Sequence, residues 1–131
     1  MKQLVIMMGL LMGLAFTGCE QPQETLSIIP VPLKAEIQGG AFVVNEQTRL
    51  WVEAPEADKQ ILQKFLVASP LKLTVASEEP EANAIVLNQV VELPGVQSPE
   101  GYVLTATDKV VEVQATTGAG LFYGVQTLLQ M

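Results

Sequence analysis

Few of the 131 residues have the types and spacing that chemistry needs. Gly118-Ala119-Gly120 follows an apolar run, Val110 to Ala115, that reads as a strand, and it stands at the mouth of a helix, where a phosphate-cradling loop would sit. The dinucleotide fingerprint, however, requires a third glycine at the position of Tyr123, so the match fails. Glu78 and Glu79 are adjacent carboxylates, but they lie in a polar stretch beside Pro80 and read as solvated loop charge. General acid or base work needs carboxylates held in a dry, shaped cleft, and acids spread over loops do not make one. Trp51 could stack on a sugar ring, although one aromatic residue in a strand more often packs or meets another domain. There is no histidine, which removes the commonest general base and metal ligand, and a single cysteine, Cys19, which excludes an internal disulfide. The expectation is therefore no catalytic residue, no cofactor, no metal and one candidate site of modification, Cys19.

Cys19 falls at the end of a secretion signal. Lys2 precedes an apolar run from Leu4 to Phe16, too short and too abruptly ended for a membrane span, and Thr17-Gly18 lead into the cysteine. Phe16-Thr17-Gly18-Cys19 resembles the lipobox of bacterial lipoproteins, with Phe16 where leucine is usual. That resemblance implies cleavage before Cys19 and its lipidation, with enough acyl chains for stable attachment to the cell envelope, on a periplasmic or outer-membrane face. Three segments follow: a lipoprotein signal peptide over 1–18, a polar tether over 19–27 and a folded domain over 28–131. Cleavage removes Lys2 and no acid, so the formal charge of −7 becomes −8. With sparse, scattered lysine and arginine, nucleic acid is excluded as a partner.

The domain's chief element is a helix at its end. Leu121, Val125, Leu128 and Leu129, with Phe122 beside them, recur at three- and four-residue steps, so they line one face that needs a sheet beneath it. Thr117 can cap the helix, because its hydroxyl can accept from the first turn. Gly120 and Gly124 share one side, and each costs roughly 1 kcal/mol against alanine, so close approach of another backbone is expected there. An earlier helix is expected from Pro55 to Pro70, with a stripe of Ala57, Ile61, Phe65 and Ala68 that Leu62 and Leu66 widen. Strands are expected over Thr48 to Glu53, Leu71 to Ala76, Ala84 to Leu87, Gly101 to Thr107 and Val110 to Gln114. A further hairpin is read from Ala35 to Gln38 and Ala41 to Val44 about Gly39-Gly40, and a turn at Thr107-Asp108-Lys109. The order is α+β, with an antiparallel sheet carrying two amphipathic helices on one face.

Four segments together resemble the small amino-terminal domain that precedes the catalytic barrel in family 20 glycoside hydrolases, the β-N-acetylhexosaminidases. They are Ile29-Pro30-Val31-Pro32, Gly40-Ala41-Phe42, Pro99-Glu100-Gly101-Tyr102-Val103-Leu104 and Gly120 to Gln130, in the family's order and approximate spacing. The resemblance implies a non-catalytic support domain, whose partner is a barrel expected after Met131. There, an Asp-Glu pair uses the substrate's own acetamido group to remove terminal β-linked N-acetylhexosamine, an exception among glycosidases. This chain has no such pair. The last helix reaches Met131 with neither a capping glycine nor a turn, which favours a longer reading frame. The alternative is a free-standing surface lipoprotein that binds carbohydrate or protein.

Overall fold

The computed structural model describes residues 27–36 and 40–131. The expected signal peptide, most of the tether and Cys19 lie outside the described residues. Five strands and two helices run in the order β1 (Arg49–Glu53), α1 (Glu56–Val67), β2 (Thr74–Val75), β3 (Ala84–Gln89), β4 (Tyr102–Ala106), β5 (Val110–Ala115) and α2 (Gly118–Leu128). The class is α+β, as the residue pattern implies.

The sheet order is β2-β1-β3-β5-β4, and only β4 and β5 pair antiparallel. The expected all-antiparallel sheet is therefore corrected to a mixed one, in which β1 runs parallel to β2 and β3, and β3 to β5. Chain geometry explains how so small a domain achieves this. Parallel neighbours need a crossover, and α1 supplies it between β1 and β2. β2 pairs through only two residues, Thr74 with Arg49 and Val75 with Leu50. The chain has thus climbed about 7 Å before the loop at 76–83 turns back to start β3 beside Arg49, so no second helix is needed there. Between β3 and β5 the return stroke is β4 itself, followed by the expected turn at Thr107-Asp108-Lys109, where the Thr107 hydroxyl accepts from the Val110 N–H at 3.0 Å.

Register puts Leu50, Val52, Ile85, Leu87, Val111, Val113 and Ala115 on one face, all buried, and both helices lie over it. The Phe65 and Phe122 rings, 5.4 Å apart, close the seam between α1 and α2. Burial of large apolar side chains, roughly 1.5 to 3 kcal/mol each, drives this layer together. Two expectations are corrected. In α1 the buried line is Leu62 and Leu66, while Ile61 is 61% exposed and Ala57 and Ala68 face out, one position round the helix from the expected stripe. Two apolar lines stand side by side there, and only the sheet chooses between them. Residues 37–39 of the expected hairpin about Gly39-Gly40 lie outside the described residues; its second arm, 41–44, carries no strand, and Phe42 and Val44 pack against the core from there. Gly40 has φ +93°.

Candidate functional site

The glycines at the mouth of α2 and Thr117 have structural occupations. Gly118, at the mouth of α2, lies against Asp58 of α1: a Cβ built on it would come within 2.4 to 2.6 Å of the carboxyl group. A carboxylate thus already stands at the positive end of α2, where a phosphate would have to bind. Thr117 caps that end as expected, accepting from the Gly120 N–H at 3.1 Å, and its hydroxyl donates to the Pro99 carbonyl. The same residue therefore fastens the loop before β4 to the start of α2.

Gly120 fulfils the expected close approach to backbone, since its missing Cβ would stand 2.6 Å from the Gly101 carbonyl oxygen. Gly124 is different. It faces side chains of the sheet, with Val113 Cγ1 at 2.3 Å and Tyr102 Cδ2 at 3.2 Å from a built Cβ, so the expectation of a facing backbone is corrected at this position. Both glycines let α2 settle onto the β5 and β4 strands.

The carboxylates that share a site are open to solvent. Glu78, Glu79 and Glu81 lie with Arg49 around a shallow surface hollow, open to solvent. A second hollow is lined by the loop from Val91 to Gln97 and by Thr116, with Glu92 as its only acid. Among the described residues no acid is buried, and no three His, Cys, Asp or Glu side chains are grouped to hold a metal. Lys34 pairs with Glu36 at 2.8 Å, and the hydrogen bond to that carboxylate holds the ammonium above its usual pKa, on an exposed stretch away from either hollow. Trp51 is half-buried and engaged within the domain, its ring centroid 5.4 Å from the Lys59 ammonium of α1.

The elaborated region is elsewhere, around α2. The Tyr102 and Thr127 hydroxyls meet at 2.5 Å, joining the edge strand to the helix. The Gln130 amide accepts from the Ile29 N–H at 2.9 Å and donates to the Ile29 carbonyl at 3.1 Å, tying the lead-in segment to the end of the chain. Residue patterns did not reveal these polar pairs. The one available signal is that Val113 to Met131 contains no charged residue.

The described residues form a two-layer α+β domain, a mixed sheet under two helices. A family model described as glycosyl hydrolase family 20, domain 2, matches residues 25–131. The chain belongs to that family, as its domain 2. It is 33% identical over 110 residues to a β-hexosaminidase of Porphyromonas gingivalis, covering 81% of this chain and 14% of that protein. The crystal structure of a β-N-acetylhexosaminidase from Bacteroides fragilis superposes with a TM-score of 0.62 at 26% identity, over 79% of this chain and 20% of that one. The chain thus spans between a seventh and a fifth of the length of these relatives.

Proposed function

We propose that this domain is the non-catalytic support of a β-N-acetylhexosaminidase, and that the catalytic barrel, with its Asp-Glu pair, follows Met131 in the same polypeptide. The observation that carries the reading is a conjunction. The chain matches family 20 domain 2 from residue 25 to residue 131, and within that span its described acids are exposed or half-buried, the three that share a hollow, Glu78, Glu79 and Glu81, being open to solvent. The reaction assigned to the whole protein is release of terminal β-linked N-acetylhexosamine from glycans. Its chemistry would belong to the barrel, and this domain would bind no substrate itself. We also assign the mature protein to the cell envelope, lipidated at Cys19, on the strength of the apolar run and the small residues ahead of that cysteine.

The nucleotide sequence beyond the codon for Met131 tests the architecture. A continuing frame of several hundred codons with an adjacent Asp-Glu pair is expected. A stop codon directly after Met131 would contradict it and move weight to a free-standing binding lipoprotein.

A further inference from the structure

Near its start the described chain carries a bare aliphatic strip. Ile29, Val31 and Leu33 are 80%, 85% and 109% exposed, with Pro30 and Pro32 between them. Single exposed aliphatics are ordinary on a protein surface, as Ile61 and Val91 are here, but three within five residues make a patch. The strip is fixed to the fold. Ile28 is buried, and the Gln130 side chain binds both backbone groups of Ile29, at 2.9 Å from its N–H and 3.1 Å from its carbonyl. Lys34, the first charged residue after the strip, is paired with Glu36 at 2.8 Å. The backbone of the strip also has few donors that need water. Pro30 and Pro32 have no N–H and that of Ile29 is held by Gln130, so only Val31 and Leu33 have N–H groups left to satisfy. A non-helical segment of this kind can leave water for an apolar phase at low cost.

We propose that Ile29, Val31 and Leu33 dip into the lipid surface to which Cys19 anchors the chain, so that the domain lies on the bilayer in one orientation. The proposal rests on reading Cys19 as lipidated. Chain length points to this occupant. Residues 20–27 alone separate Cys19 from Ile28, and an extended chain spans at most about 3.5 Å per residue, which keeps Ile28 within roughly 30 Å of the anchored cysteine. The acyl chains have then already brought the domain to the membrane. Three aliphatic side chains, too few to hold a soluble protein there, suffice to set the orientation of one that is tethered. Acids outnumber bases by fourteen to seven, so the domain has no attraction to anionic lipid and the contact is an apolar one.

The test uses the full-length lipoprotein in phosphatidylcholine vesicles, with a polarity-sensitive fluorophore attached at Val31→Cys. Val91→Cys, in the loop at the opposite end of α2, is the control, and the unsubstituted protein treated with the same reagent supplies the background. Brominated phosphatidylcholine should quench the label at 31 and spare the label at 91. Adding Leu33→Asp to Val31→Cys sets an ion in place of a lipid-covered aliphatic, and should lower the insertion equilibrium, read from the quenched fraction, about tenfold. Equal quenching at 31 and 91 overturns the proposal, and so does an undiminished signal with Leu33→Asp, because the label itself would then be inserting. A label at 31 shielded from aqueous iodide yet untouched by brominated lipid also overturns it, since the strip then lies under protein. Flotation separates this contact from the reading beneath it. A full-length protein that does not float with the vesicles removes the lipid anchor and the contact together, whereas a floating protein with an unquenched label at 31 removes only the contact.

Discussion

The Tyr102 hydroxyl in β4 lies 2.5 Å from the Thr127 hydroxyl in α2, while the Tyr102 ring packs beside Gly124 on the same helix. Edge strand and helix are therefore held by one polar contact and one close contact a turn apart. Tyr102→Phe should cost roughly 1 to 2 kcal/mol, because it leaves the buried Thr127 hydroxyl without its partner. Thr127→Val in the same background should restore part of that loss. A double-mutant cycle by urea unfolding measures the coupling, and strictly additive losses would contradict it.

Gly124→Ala should destabilise the domain. Helix propensity alone predicts a gain of roughly 1 kcal/mol, but the new methyl would meet Val113 Cγ1 at 2.3 Å, and Val113 is fully buried in β5 with no room to retreat. Overpacking of this kind costs about 1 to 3 kcal/mol, so the net sign is a loss in the thermal melting midpoint. A stabilised variant would show that the helix can lift off the sheet without cost.

Thr117→Ala removes both the cap on the Gly120 N–H and the bond to the Pro99 carbonyl. A loss of about 1 to 2 kcal/mol is expected, at the upper end of the range for helix caps, and Thr117→Ser should recover most of it. Equal melting of the alanine and serine variants would mean that the hydroxyl does not hold the loop to the helix.

Cys19→Ser should block processing and shift the protein from the membrane to the soluble fraction. Unchanged fractionation and unchanged mature mass would remove the lipid anchor from the account.

What the residue pattern revealed depended on how many answers it admitted. α2 was legible because its apolar residues form one stripe and Thr117 precedes the glycines. α1 was ambiguous, since Ile61 and Leu62 each begin an apolar line and nothing local distinguishes them; the sheet buries Leu62 and Leu66. Strand direction was misread although a signal existed: Ala84 to Leu87 is a continuous apolar run buried on both faces, the mark of a central parallel strand. A two-residue strand such as β2 and a loop that turns back after it leave no pattern to read. The polar ties lay beyond reach, because Gln130 meets Ile29 across 101 positions and neither residue type announces the pairing. For the site, residue types alone offered no candidate beyond Cys19, which lies outside the described residues. The aliphatic residues Ile29, Val31 and Leu33 were visible in the sequence but acquire meaning only when the fold shows them turned outward.

The most direct test of the central claim is release of nitrophenol from an aryl β-N-acetylglucosaminide by purified residues 20–131, beside the protein translated from the complete reading frame. The account predicts turnover by the longer protein and none by residues 20–131. Turnover by the short chain, abolished by changing one of its own carboxylates, would contradict it.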